Sequence, residues 1–138
     1  MRDMAKASEV IRKMYGDQTG NSIAAVYEDG DLIERTTYNS HGQMIETLQG
    51  NLKTVYVYNA EGDEVECHQY YIHEDNYEEY IFSGFKKYDE EGRLIEYEYD
   101  NIHEGHFHFT YKYDVFEGKL VRKAYNDNSE LVDLTILN

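Results

Sequence analysis

Proline and tryptophan are missing from this chain, and cysteine occurs once. Without proline, the turns fall to glycine, asparagine and aspartate, which reach the needed backbone angles by other means. With Cys67 alone, no internal disulfide can form, as suits a reducing compartment. No apolar run approaches the roughly 18 residues of a membrane-spanning helix, and the N-terminus lacks the apolar core of a secretory signal. These absences predict a soluble cytoplasmic protein. Lysine and arginine are also absent from the whole interval between Lys53 and Lys86, which holds Glu61, Asp63, Glu64, Glu66, Glu74, Asp75, Glu78 and Glu79. Such a stretch repels nucleic acid and anionic membranes and attracts a basic partner at long range.

The formal net charge is −15 over 138 residues, beyond the magnitude of about 2–8 that keeps a small domain soluble. It is unevenly spread. Residues 1–16 hold Arg2, Lys6, Arg12 and Lys13 against Asp3 and Glu9, a net of +2, which leaves −17 for the remainder. Two readings follow: the acids steer a cationic partner, or they only keep a sheet with 15 tyrosines and 5 phenylalanines in solution.

A phrase recurs along the chain: Tyr, then Asn or Asp, two spacers, Gly, one variable residue, two mostly apolar residues and often Glu. It is cleanest at Tyr88-Asp89-Glu90-Glu91-Gly92-Arg93-Leu94-Ile95-Glu96 and returns at 38–46 and 58–66, with looser copies at 27–34 and 113–121. Asn or Asp can open a type I turn by bonding its own backbone two residues on, and Gly three residues later takes the left-handed angle that closes a bulged hairpin. Repeated use of one hairpin device predicts an antiparallel meander. The glycines at 30, 42, 62, 92 and 118 are 12, 20, 30 and 26 residues apart. This is too irregular for a solenoid, so a twisted, curved sheet is expected.

Alternation marks the strands. Ile95, Tyr97 and Tyr99 fall on one face with Glu96, Glu98 and Asp100 on the other. Phe107, Phe109, Tyr111 and Tyr113 likewise oppose His106, His108, Thr110 and Lys112. A tight hairpin would set Glu98 opposite His108 and Asp100 opposite His106. At the N-terminus, Met4, Ala7, Val10, Ile11 and Met14 fall at helical spacing before Gly16, which predicts a helix over 2–15 packed on the sheet. The reading is one domain over 1–138, mainly β, with a helix at 2–15 and an antiparallel sheet over 22–138.

Catalytic signatures are few. There is no phosphate loop or nucleotide fingerprint. His68 is adjacent to Cys67, so a regular strand sends the two side chains to opposite faces; Cys67 reads as a small buried residue. His103, Glu104, His106 and His108 have spacing compatible with a metal, but cross-strand Glu–His pairs on a solvated face are the preferred reading. No metal, cofactor or enzymatic activity is assigned. The acidic, tyrosine-rich middle remains. Aromatic rings give rigid contact area and carboxylates give steering and pairing, so the expected partner-binding residues are Tyr71, Glu74, Asp75, Tyr77, Glu78, Glu79, Glu96, Glu98 and Asp100.

The phrase at 88–99 resembles the tyrosine–aspartate repeat of RHS-type proteins, whose hairpins build the shells of large polymorphic toxins. Small acidic chains with such repeats are similar to immunity proteins of polymorphic or contact-dependent toxin systems, and to antitoxins with MORN-like hairpins. The resemblance covers the sheet from about residue 24 to 125 and carries no catalytic residue. It implies an immunity protein that binds a cognate cationic toxin domain, a nuclease by expectation, and blocks its active site or substrate channel. The alternative is a protein-binding or structural module that neutralises no enzyme.

Overall fold

The computed structural model describes residues 9–137. Every regular element among them is a strand: β1 (Val10–Gly16), β2 (Ser22–Glu28), β3 (Asp31–Tyr38), β4 (Met44–Gln49), β5 (Leu52–Tyr58), β6 (Glu64–Ile72), β7 (Glu78–Tyr88), β8 (Leu94–Asn101), β9 (Gly105–Phe116), β10 (Lys119–Tyr125) and β11 (Leu131–Ile136). The hydrogen-bonded order is the chain order. The molecule is thus an antiparallel meander, as the repeated turns predict.

The hairpin phrase works as expected at its three best copies. Asn39 N–H donates to the Gln43 carbonyl at 2.9 Å, and Gly42 N–H donates back to the Asn39 carbonyl at 3.0 Å. The Asn39 Oδ1 accepts the N–H groups of His41 and Gln43, each at 3.0 Å. Asn59 and Asp89 repeat the pattern. Gly42, Gly62 and Gly92 have φ of 80°, 92° and 80°, a region that costs residues with a Cβ. The copies at 27–34 and 113–121 close differently, with two successive positive-φ residues, Asp29-Gly30 and Glu117-Gly118. That is the two-residue hairpin turn.

Two further turns use the longer device without the full phrase. Asp17 accepts from Thr19 and Asn21. Asn126 accepts from Asn128 and Glu130, with Ser129 at φ 61° in the glycine position. We expect Asn39→Ala to lower stability by about 1 kcal/mol through loss of its acceptor. Asn39→Asp, which keeps the acceptor, should cost less. Urea denaturation midpoints check both.

The predicted N-terminal helix requires correction. Residues 10–16 form β1, paired with β2 from Val10↔Glu28 to Gly16↔Ser22; positions 2–8 of that prediction lie outside the described residues. Seven residues gain a ladder on β2, whereas a helix shorter than about 12–15 residues is marginal unless packed. Val10 and Ile11 are also β-branched, which favours a pleated surface. Lys13 then lies with its Nζ 5.1 Å from the centre of the Tyr27 ring.

The strands form two compact units. One holds the chain up to Tyr56 together with Gln69–Glu79, and the other holds Val57–His68 with the chain from Tyr80 onward. In the first, Ala25 and Thr54 are buried, and Thr36, Thr47 and Thr54 stand in register across β3, β4 and β5. In the second, Ser83, Val121 and Ala124 are buried. No described residue with a large side chain is fully buried, so half-buried rings supply much of the packing. Phe82, Tyr97, Phe107 and Phe109 each meet the Tyr99 ring. Arginine and lysine lie over the flanking tyrosines, Arg122 on Tyr111 at 5.1 Å and Lys86 on Tyr97 at 5.6 Å. Burial pushes the Tyr97 phenol up to about 12.

Candidate functional site

The acids and tyrosines singled out above fall into two separate groups. The first surrounds the β6–β7 turn. His73 N–H donates to the Tyr77 carbonyl and Asn76 N–H to the His73 carbonyl, both at 2.9 Å. Asn76 sits at φ 67° in the place glycine takes elsewhere, a position asparagine tolerates better than most residues. Asp75 Oδ1 accepts the Tyr77 N–H at 3.0 Å. This turn holds Glu74 and Asp75 at its tip and brings three rings together. Tyr71 meets His73 edge-on at 4.8 Å, and His73 stacks on Tyr77 at 5.7 Å.

Glu79 reaches His73 Nε2 at 3.0 Å. From the β4–β5 corner, Asn51 donates to the Tyr71 hydroxyl at 3.4 Å. The result is an open recess of about 790 Å³ lined by Asn51, Tyr71, Ile72, His73, Glu74, Asp75, Tyr77 and Glu79. Tyr77 is 62% exposed and Tyr71 41%, so the aromatic surface faces solvent beside the carboxylates. Glu78 stands apart and pairs with Lys53 at 2.7 Å, as strand alternation between Glu78 and Glu79 requires.

The second group lies in the other unit. The register is as expected from the alternation: Glu98 faces His108 and Asp100 faces His106. The carboxylates here are engaged by imidazoles. His106 contacts Glu98 at 3.1 Å and Asp100 at 2.7 Å through its two ring nitrogens. His108 contacts Glu96 at 2.9 Å through Nε2 and Asp127 through Nδ1. Hydrogen bonds to Asp127 and then Glu96 raise the His108 pKa above its ordinary value. The His108 bond, helped by Lys87, holds the Glu96 carboxyl below its own. His103, in the β8–β9 turn, donates its backbone N–H to Asn101 at 2.8 Å.

Three participants escaped the sequence reading: Asn51, His73 and Asp127. Each lies in or beside a turn and reaches a strand residue through register. Only His73, spaced two and four residues from Tyr71 and Tyr77, carried a local signal. Cys67 is half-buried rather than buried, and burial raises its thiol pKa, which lowers its thiolate fraction and hence its nucleophilicity. His68 bonds Ser83 Oγ at 2.7 Å and Glu66 at 3.0 Å. No protein-family model matches the chain, and no curated protein matches it at a significant level. Among the described residues, no helix is long and apolar enough to cross a membrane.

Proposed function

We propose that this protein binds a cationic partner protein and neutralises it without chemistry of its own. The proposed partner is a toxin domain, with a nuclease the best fit to the charge, and the proposed setting is the cytoplasm. The recess at the β6–β7 turn carries the reading. It sets three aromatic rings beside Glu74, Asp75 and Glu79, a surface suited to lysine or arginine side chains through paired charge and cation–π contact. A nuclease presents such side chains to phosphate, and carboxylates here would take the phosphates' place. Glu96, Glu98 and Asp100, held against imidazoles, contribute to the negative field more than to direct contact. The immunity role itself rests on the resemblance of the 88–99 phrase.

The test is capture of a basic toxin domain from the cells of origin, followed by titration of its activity with the pure protein. Stoichiometric inhibition is expected. The combined variant Glu74→Lys, Asp75→Lys, Glu79→Lys should slow association at least about tenfold at low salt, with the difference shrinking as salt rises. An unchanged association rate would move the docking surface elsewhere. A captured partner that retains full activity would leave a binding module without an immunity role.

A further inference from the structure

The imidazole–carboxylate face of β8 and β9 has a geometry that ion pairing alone does not require. Glu96, Glu98 and His108 each point one donor atom into the same space, all within 4.8 Å of one another. It is the one such trio found among the described residues. Donors around a zinc ion at about 2.0–2.2 Å stand roughly 3–4.4 Å apart, so small side-chain rotations close the set.

Two neighbours support these groups as outer ligands support a metal site. Asp127 engages His108 Nδ1 and leaves Nε2 aimed at Glu96. This is the carboxylate–histidine pairing that fixes tautomer and ring direction for a metal. His106 holds Glu98 through Nε2 and is itself held by Asp100 through Nδ1. The three donors ride on paired strands, since Glu96 and Glu98 are two residues apart on β8 and His108 stands opposite Glu98 on β9. The charge is also unbalanced. Four carboxylates gather here, and the lysine that reaches them, Lys87, is 3.6 Å from Glu96 and 72% exposed.

We propose that His108 Nε2, Glu96 and Glu98 bind a divalent transition metal, zinc above all, with Asp127 as the positioning residue for His108. One nitrogen and two carboxylate oxygens suit zinc, whereas magnesium and calcium favour all-oxygen shells. Water fills the remaining coordination. The site is independent of the recess at the β6–β7 turn, so each proposal stands or falls alone.

The experiment is calorimetric titration of the chelator-treated, full-length protein with zinc chloride. One saturable site is expected, with no comparable response to magnesium. Glu98→Gln leaves the Glu96–His108–Asp127 contacts in place, so a fold preserved by circular dichroism is expected together with at least about tenfold weaker zinc binding. Asp127→Asn should weaken binding by about 10–100-fold, the range for an outer-shell partner. His41→Ala, in the exposed β3–β4 turn, should leave it unchanged. In histidine NMR spectra, zinc should shift the His108 ring signals and leave those of His41 in place. Absence of saturable binding, or wild-type affinity in Glu98→Gln, would overturn the proposal.

Discussion

Replacing Tyr99 by alanine should destabilise the protein by about 3 kcal/mol, which lowers the melting temperature of a chain this size by about 10 °C. Tyr99 is the hub of the aromatic face. Its ring lies 4.9 Å from Phe107, 5.1 Å from Tyr97, 5.7 Å from Phe82 and 6.3 Å from Phe109. Aromatic pairs of this kind contribute about 0.5–1.5 kcal/mol each beyond buried area. Full truncation of a buried ring costs about 3–5 kcal/mol, and Tyr99 is only half-buried, which places it at the low end. Tyr99→Phe keeps every ring contact and should cost far less. Urea and thermal unfolding followed by circular dichroism separate the two. A loss below about 1 kcal/mol in the alanine variant would mean that the rings merely decorate the surface.

Gly84→Val should cost about 2–3 kcal/mol, and Gly84→Ala about 1 kcal/mol, by overpacking. Gly84 does not need glycine for its backbone angle; it needs glycine for space. A Cβ there would stand 3.0 Å and 3.1 Å from two Phe82 ring carbons and 3.2 Å from a Tyr97 ring carbon. Both rings therefore close over a strand position that has no side chain, which is how aromatic neighbours rescue a strand glycine. The same packing dries the Tyr97 phenol, whose pKa rises to about 12, chiefly from burial. Displacing the ring should bring that value back toward about 10, the ordinary tyrosine value. Alkaline absorbance titration reads this independently of stability. A Gly84→Ala variant with wild-type stability and an unchanged Tyr97 titration would show that the rings do not rest on this position.

The two faces of β8 and β9 show how far alternation carries. The assignment of Tyr97, Tyr99, Phe107 and Phe109 to one face and of Glu96, Glu98, His106 and His108 to the other follows from the period of two, and the register bears it out. The same logic reads these two segments as paired strands. It failed at Val10, Ile11 and Met14, where helical spacing in a short segment competed with a ladder on β2 that the local sequence does not announce. The repeated phrase does not extend to the polar turns at Asp17 and Asn126. There the tyrosine-led phrase is incomplete, although the side-chain acceptor that makes the turn is present.

The candidate residues were legible as types and not as a constellation. Tyr71, Glu74, Asp75, Tyr77 and Glu79 converge because a turn brings together residues close in sequence. Glu78, next to them, pairs instead with Lys53, 25 residues away. Glu96 and Glu98 acquired their character from His106, His108 and Asp127.

By itself the sequence determined the hairpins and the two-faced strands. Their causes act over a few residues: a side-chain oxygen that accepts a nearby N–H, a glycine at positive φ, and alternation that one pleat repeats. Only the tertiary structure decided which carboxylates stay open to a partner and which meet an imidazole or a lysine. Those meetings span 8 to 25 residues and depend on the summed register of every turn and bulge between them. A slip of one residue sends a side chain to the opposite face. Charge and composition name the groups available, and the strand pairing determines which of them meet.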